Sequence, residues 1–202
     1  MREWNKKLEI MRNYDSSAKV YDAQYAEEQN AKIKAALSHL SLREDSLVLD
    51  VGCGTALLFE HLGNSIKLLV GLDLSSGILK EAKKRAKRFP RTALIRADAD
   101  FTPFPNGTFD GVFAITLLQN MPNPSLTLQE MVRVSKASAM IVVTGLKKAY
   151  SQDAFRGLLF QAGLEADIVE TDKRLKGYIA LCKKRMGSDP PLQGGHRDTR
   201  NP

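Results

Sequence analysis

The sequence predicts an α/β fold in which a doubly wound, mainly parallel sheet is covered by helices on both faces and closed by an antiparallel hairpin. Short apolar runs typical of strands alternate with capped, helix-like segments between residues 46 and 163. Two of the early runs end in an aspartate, Asp50 or Asp73, shortly before a turn. The last two runs, 164–169 and 177–182, are separated by the charged turn 171–174, which indicates the hairpin.

The chain of 202 residues has the length of one domain. We expect a single domain over residues 1–186, beginning with a helical segment over residues 1–40. Residues 187–202 offer Leu192 as their one large apolar side chain, so a disordered tail is expected there.

The first half of the domain is predicted from its caps and breaks. Residues 16–40 lack Pro and Gly, which indicates a helix capped by Ser16 or Ser17, with an interruption near Ala26 as an alternative. A glycine and an asparagine end the next helix, and a serine cap and a proline stop bound the third. The strands are expected at 46–51, 66–72 and 92–97. One helix is expected at 55–62 and is followed by Gly63 and Asn64. The other is expected to run from its cap, Ser75, to about Arg88, shortly before Pro90.

The second half continues the alternation after a loop at 103–107, which is rich in turn residues. A strand is expected at 109–116 and a continuous apolar strand at 139–144. Pro122 and Pro124 open a helix at about 125–135. Ser151 starts a helix at 153–162, and Gly163 ends it.

The charge balance is basic, with 30 Lys and Arg against 23 Asp and Glu. Residues 80–91 hold seven basic side chains and one acidic one. This segment is either a solvated helix face near a helix C-terminus or a contact surface for a polyanion such as RNA.

Several classes of protein are excluded. The longest apolar runs are far shorter than the roughly 20 residues of a membrane span, and the N-terminus lacks the apolar stretch of a signal peptide, so we expect a cytoplasmic protein without a membrane contact. The two cysteines, Cys53 and Cys182, form neither a disulfide framework nor a zinc motif. His39, His61 and His196 are scattered, so no metal is expected.

A glycine turn follows the first predicted strand. Gly52 and Gly54 let backbone N–H groups approach a ligand closely, and Asp50 supplies an acceptor beside them. Asp73 ends the next strand, 19 residues after Gly54. Because parallel strands bring their carboxyl ends to one edge of the sheet, this arrangement predicts a nucleoside-containing cofactor. A dinucleotide is less favoured, since Leu57 occupies the position of the third glycine of that fingerprint.

Four ordered motifs make the prediction more specific: Leu49-Asp50-Val51-Gly52-Cys53-Gly54-Thr55, Gly71-Leu72-Asp73-Leu74-Ser75, Ala97-Asp98-Ala99 and Phe104-Pro105-Asn106-Gly107-Thr108-Phe109-Asp110. Together they resemble class I S-adenosylmethionine-dependent methyltransferases, especially the type-11 group, over roughly residues 14 to 184. The chain departs from that pattern at two places. Ala56 stands where relatives often have a third glycine, and Lys136-Ala137-Ser138-Ala139 replaces a Pro-Gly-Gly turn.

The resemblance implies a Rossmann-like methyltransferase fold with S-adenosyl-L-methionine as cofactor. The turn containing Asp50, Gly52, Cys53 and Gly54 would lie against its methionine part. Asp73, followed by Leu74, would bind both ribose hydroxyls. Asp98 would lie near the adenine amino group, and the backbone of Ala99 would donate a hydrogen bond to a ring nitrogen. The segment 114–118, including Ile115, would line the sulfonium side. Taken singly, these residues also fit a tight turn, a helix cap and a loop.

The substrate side is less specific. Gln119 and Asn120 stand where relatives often have polar residues facing substrate, although they also fit satisfied amides at a turn. Tyr14 and Tyr21, with Tyr25, resemble an N-terminal lid segment within residues 1–40, but Tyr21 and Tyr25 also fit one packed helix face. A general base is optional for an acceptor with a lone pair, so no catalytic residue is predicted.

The predicted function is therefore methyl transfer from S-adenosylmethionine to a small metabolite or an RNA nucleoside. Substrate recognition would come from the N-terminal segment, from the loop after residue 116 or from a partner subunit. The alternative is a cofactor-binding scaffold or regulator of a methyltransferase complex, without catalysis of its own.

Overall fold

The computed structural model describes residues 2–18, 20–170 and 175–185. The expected tail at 187–202 and the turn at 171–174 lie outside the described residues. The helices are α1 (Arg2–Ser17), α2 (Tyr21–Leu37), α3 (Phe59–Leu62), α4 (Ser76–Ala86), α5 (Pro124–Val134) and α6 (Gln152–Gln161). The strands are β1 (Leu47–Val51), β2 (Leu68–Asp73), β3 (Thr92–Arg96), β4 (Phe109–Ala114), β5 (Ser135–Leu146), β6 (Leu164–Ile168) and β7 (Gly177–Lys184).

The strands form one sheet in the order β3-β2-β1-β4-β5-β7-β6. Strands β1 to β5 pair in parallel, and β7 runs antiparallel to both β5 and β6. The predicted fold class is therefore confirmed, including the closing hairpin. The chain moves outward from β1 to β3 and then returns to β4 beside β1, so the strand order reverses between β1 and β4. In sheets of this kind, ligands bind beyond the carboxyl ends of the strands at that reversal.

Alternate residues of the central strands bury two separate cores because successive side chains point to opposite faces of a sheet. Val48, Leu69 and Phe113 belong to the core under α2, α3 and α4. Leu49 and Val112 belong to the other core, under α5 and α6. All five are buried, and each large apolar side chain contributes about 1.5 to 3 kcal/mol. The two cores hold the central strands rigidly beneath the carboxyl edge.

The N-terminal helix prediction is wrong in its boundaries. Helix α1 ends at Ser17, where a helix was expected to begin, and the break falls between Ser17 and Tyr21 rather than near Ala26. The hydroxyls of Ser16 and Ser17 donate to the Asn13 carbonyl oxygen at 2.8 and 2.9 Å. Serine serves either a helix start or the last turn of a helix through such bonds, so the residue type alone did not decide between them.

The other caps follow the sequence more closely. Ser75 Oγ accepts from the Ile78 amide at 3.1 Å, Ser151 Oγ accepts from the Ala154 amide at 3.2 Å, and Gly163 has a left-handed φ of 81°. Helix α3 is shorter than expected because residues 54–58 form turns. Strand β5 is longer than the predicted 139–144, since its pairing already begins at Ser135. Among the described helices, none is long and apolar enough to cross a membrane.

Candidate functional site

The turn after β1 depends on backbone conformations that glycine adopts easily. Gly52 and Gly54 have φ values of 68° and 54°, and Ala56 follows with 62°. The amides of Gly52 and Cys53 both donate to the Leu72 carbonyl oxygen, at 2.8 and 2.9 Å. A Cβ atom on Gly52 would lie 2.7 Å from Leu117 Cδ1. The turn therefore approaches the loop after β4 more closely than a side chain would allow.

Asp73 ends β2 and is held by two backbone amides. Its Oδ2 accepts from the Gly54 amide at 3.0 Å, and its Oδ1 accepts from the Ser75 amide at 2.9 Å. Burial raises the pKa of Asp73, and the amide hydrogen bonds oppose that rise. Since each carboxylate oxygen has two lone pairs, each still has one for a further donor. Asp73 can thus accept two hydroxyl groups at fixed positions.

Asp98 follows β3 and is paired with a lysine that sequence reasoning missed. Lys7 Nζ, on α1, lies 2.7 Å from Asp98 Oδ1 and 2.8 Å from Oδ2, and it also bonds Asp100. The Asp100 amide donates to Asp98 Oδ1 at 3.0 Å. Burial lowers the pKa of Lys7, but the hydrogen bonds and charges of the two aspartates outweigh it and leave the pKa above its ordinary value. No motif marks Lys7, because its partners lie more than 90 residues away.

Helix α1 forms a roof over this edge of the sheet. Tyr14 accepts a hydrogen bond from Asn120 Nδ2 at 2.8 Å, and its ring centroid lies 5.8 Å from that of Tyr21. The Tyr21 and Tyr25 centroids are 5.0 Å apart, as the packed-face hypothesis expects, whereas the lid role of these tyrosines stays a prediction. Burial, with the nearby charge of Asp73, raises the pKa of Tyr14 and of Tyr21. Both phenols therefore stay protonated at neutral pH.

The roof and the sheet edge enclose a cleft of about 710 Å³. Most residues selected from the sequence line it together: Gly52, Gly54, Asp73, Leu74, Asp98, Ala99, Ile115, Tyr14, Tyr21 and Asn120. Thr116, within the selected segment 114–118, also lines it, and so do Lys7, Ile10 and Met11, which were not selected. The cleft thus combines carboxylates, tyrosines and apolar side chains at the carboxyl edge of the sheet, as small-molecule sites commonly do.

Asp50 and Cys53 lie apart from this cleft, in an adjoining cavity of about 350 Å³ beneath the glycine turn. Burial, together with the charge of Asp73, raises the pKa of Asp50 to about 8. No described residue donates a hydrogen bond to the Asp50 carboxyl group. Burial also raises the pKa of Cys53 well above its ordinary value, so this thiol is a poor nucleophile. An ammonium group is the kind of ligand that would satisfy Asp50.

Gln119 lines neither of these two cavities. Its Nε2 donates to the Thr116 carbonyl oxygen at 2.6 Å, and its buried Oε1 has no hydrogen-bond partner among the described residues. Thr116 itself has a left-handed φ of 61° and is held by Thr144 Oγ1, which accepts from the Thr116 amide at 2.6 Å. Lys32 Nζ donates to Thr116 Oγ1 at 3.0 Å. A strained threonine at a cleft is a functional signal that only the backbone angles reveal.

The basic segment 80–91 does not line the cleft. Lys80, Lys83 and Lys87 are exposed, whereas Arg85 turns inward and pairs with Asp22 at 2.7 Å. The described residues contain no group of three or more His, Cys, Asp or Glu side chains arranged to hold a metal ion. The chemistry of the cleft thus comes from fixed carboxylates, backbone amides and tyrosines.

Comparisons with known proteins agree with this geometry. Residues 49–143 match a family described as a methyltransferase domain, Methyltransf_11. The chain is 38% identical over 110 residues to a demethylmenaquinone methyltransferase of Lysinibacillus sphaericus, covering 52% of this chain and 47% of that protein. It is 26% identical over 187 residues to a phosphatidylethanolamine N-methyltransferase of Cereibacter sphaeroides, covering 91% and 87%.

Solved structures share the fold. The methyltransferase in a complex with the Trm112 activator from Haloferax volcanii superposes with a TM-score of 0.75 at 17% identity, covering 85% of this chain and 97% of that one. The chain spans about half the length of the demethylmenaquinone methyltransferases that it matches.

Proposed function

We propose that this chain, which belongs to the type-11 group of class I S-adenosylmethionine-dependent methyltransferases, transfers a methyl group to a small molecule bound beneath helix α1. The observation that carries the proposal is the carboxylate of Asp73. Two backbone amides hold its oxygens, and each oxygen keeps a lone pair for a further donor. A ribose offers two adjacent hydroxyls of that kind.

The remaining cofactor contacts follow from the same edge of the sheet. Asp98 would accept a hydrogen bond from the adenine amino group, and the Ala99 amide would donate one to a ring nitrogen. The glycine turn lies against the methionine part, where Gly52 has a left-handed φ and a Cβ atom would press on the Leu117 side chain. Asp50 faces the adjoining cavity and takes the ammonium group. When bound, S-adenosylmethionine supplies a methyl group already activated by its positive sulfur.

The chain therefore has to align the acceptor and exclude water rather than activate the donor. Tyr14 on the roof and Tyr21 at the start of α2 both line the cleft, where aromatic rings attract a positive charge and exclude solvent. Asn120 positions the Tyr14 hydroxyl. Because both phenols remain protonated, neither removes a proton from the acceptor, which must ionise readily or carry a lone pair.

A small acceptor is favoured over RNA by the roof. Helix α1 contributes Lys7, Ile10, Met11 and Tyr14 to the lining of the cleft, and a helix over the cleft favours a free small molecule over a nucleoside held within a strand. The two relatives above are named for small acceptors, a demethylmenaquinone and phosphatidylethanolamine. A partner subunit is a further element of the proposal, since one structural neighbour is bound to an activator.

The test is methyl transfer from tritiated S-adenosylmethionine into fractionated cell extract, with and without ribonuclease and with Asp73→Ala as the matched control. Label in small organic molecules that Asp73→Ala loses is the expected result. If ribonuclease removes the label, the substrate is RNA and not a small molecule. Absence of label in every fraction, from a protein that binds S-adenosylhomocysteine, would favour the scaffold or regulator. Label restored by a co-purified subunit would identify an activator.

A further inference from the structure

Lys7 links the roof to the adenine end of the cleft. Its side chain is 9% exposed although it belongs to an otherwise polar helix, and its ammonium group bonds both oxygens of Asp98. The same group bonds Asp100, whose other oxygen accepts from Thr127 Oγ1 at 2.5 Å. One cation thus lies between two carboxylates, one of which is the proposed acceptor of the adenine amino group.

Helix α1 is attached to the domain at two further points, and both also lie at the cleft. Asp15 Oδ1 accepts from Ser75 Oγ at 2.5 Å and from the Gly77 amide at 2.7 Å. A Cβ atom on Gly77 would lie 2.7 Å from that oxygen, so the close contact requires glycine. The third attachment is the bond between Tyr14 and Asn120. Docking of α1 and closure of the cleft are therefore one structural event.

We propose that Lys7 is the positioning residue of the adenine subsite, where its ammonium group orients Asp98 for the adenine amino group and simultaneously anchors α1 over the cofactor. The inference rests on the proposed function, because it assumes S-adenosylmethionine in this cleft. Lys7 would thereby couple the docking of α1 to the recognition of the adenine base.

The lone pairs of Asp98 allow this arrangement. Lys7 uses one on each oxygen, and the Asp100 amide uses the second on Oδ1, which leaves one on Oδ2 for the amino group. Without Lys7, the like charges of the Asp98 and Asp100 carboxylates would repel each other, and Asp98 would turn away from the position that it holds beside the ammonium group. A displaced Asp98 would no longer meet the adenine amino group. The site would then distinguish adenine less well from hypoxanthine, which carries an oxygen in place of the amino group.

Coupling between two sites is reciprocal. If Lys7 connects adenine recognition to the docking of α1, a ligand with an adenine base should hold α1 down. Hydrogen exchange of the α1 amides should slow when S-adenosylhomocysteine binds. S-inosylhomocysteine, which differs only at the base, should slow it less.

The experiment measures the dissociation constants of both ligands by calorimetry for the wild type, Lys7→Met, Lys7→Arg and the exposed neighbour control Lys6→Met. We expect Lys7→Met to weaken S-adenosylhomocysteine binding about tenfold and to reduce the preference for it over S-inosylhomocysteine at least about fivefold. Lys7→Arg should restore part of the preference because it keeps the charge, and Lys6→Met should match the wild type.

Each other outcome is decisive. If Lys7→Met weakens the binding of both ligands equally, Lys7 only supports the helix. If Lys7→Met binds S-adenosylhomocysteine as tightly as the wild type or more tightly, the Lys7 side chain obstructs Asp98. Either result overturns the inference and leaves the proposed function standing. If the wild type binds neither ligand, both fail. Should Lys7→Met not fold, the exchange measurement on the wild type decides, since equal protection of α1 by the two ligands contradicts the coupling.

Discussion

The carboxylate of Asp73 accepts a hydrogen bond from the backbone amide of Gly54 at 3.0 Å, which joins the end of β2 to the glycine turn after β1. The two residues are 19 positions apart in the sequence and lie side by side because β1 and β2 pair in parallel. The bond orients the carboxylate before any ligand binds. Such preorganisation lowers the entropy that binding would otherwise cost.

Asp73→Ala should remove most cofactor binding because both proposed ribose hydrogen bonds disappear together. At S-adenosylhomocysteine about 100-fold above its dissociation constant, the wild type should gain about 2.7 kcal/mol in its free energy of unfolding. Thermal denaturation should show that gain for the wild type and for the control Asp167→Ala, an exposed position on β6. If Asp73→Ala shows the same gain in its free energy of unfolding as the wild type, Asp73 does not bind the ribose.

Gly52→Ala should destabilise the protein by about 1 to 2 kcal/mol, because alanine is strained at a φ of 68° and its Cβ would press on Leu117. Gly157→Ala is the matched control. Gly157 lies within α6, and a Cβ there meets no atom within 4 Å, so alanine should stabilise the helix by about 0.5 to 1 kcal/mol. Urea unfolding measures both. Similar changes in the two variants would show that the turn tolerates a side chain.

Asp50→Asn should flatten the pH dependence of stability. The pKa of Asp50 is about 8 in the folded protein against an ordinary 3.8, so the folded state keeps a proton that the unfolded chain loses as pH rises. The contribution of Asp50 to the free energy of unfolding is therefore fully present below pH 4. It falls between about pH 4 and pH 8, by roughly 1.4 kcal/mol per pH unit. Asparagine should make the protein more stable than the wild type at pH 8, by a few kcal/mol.

Denaturant unfolding at intervals from pH 4 to pH 9 gives that profile. Asp45→Asn serves as the control, because a hydrogen bond from Arg43 lowers the pKa of Asp45. Asp45 therefore changes the free energy of unfolding only at pH values below its ordinary pKa. It should leave the profile above pH 5 as in the wild type. Parallel profiles for Asp50→Asn and the wild type would show that Asp50 is ionised when folded.

Tyr14→Phe should lower kcat/KM about 3- to 10-fold once the acceptor is known, since it removes the hydrogen bond from Asn120 and keeps the ring. The dissociation constant of S-adenosylhomocysteine should change less, because this contact belongs to the proposed substrate side. Tyr25→Phe, at a half-exposed ring, should behave as the wild type in steady-state kinetics. An unchanged kcat/KM in Tyr14→Phe would exclude the hydroxyl from substrate positioning.

The carboxyl edge was predictable because its signals are local. Apolar runs locate the strands, and aspartates or glycines at their ends locate the turns; parallel pairing then brings Asp73 and Asp98 to one edge. The N-terminal segment was not predictable in the same way. Ser16 and Ser17 fit a helix start as well as a helix end, and the choice depended on where α1 packs against α4.

The contacts that were missed share one property, which is a large separation in sequence. Lys7 meets Asp98 across 91 positions, and Lys32 meets Thr116 across 84. A lysine in a polar helix has the same local pattern whether it faces solvent or a carboxylate. The left-handed backbone of Thr116 likewise has no signature in residue type, since it is imposed by the contacts around it.

Local patterns in the chain were enough to predict the α/β class, the sheet edge at which the cleft lies and the resemblance to class I methyltransferases, because each depends on short segments whose order along the chain sets their order in the sheet. Tertiary structure alone decided that α1 covers the cleft through Lys7, and that Asp50 and Cys53 line a separate cavity. Those features arise from packing between distant segments, where the free energy depends on which surfaces meet and not on the pattern of either surface.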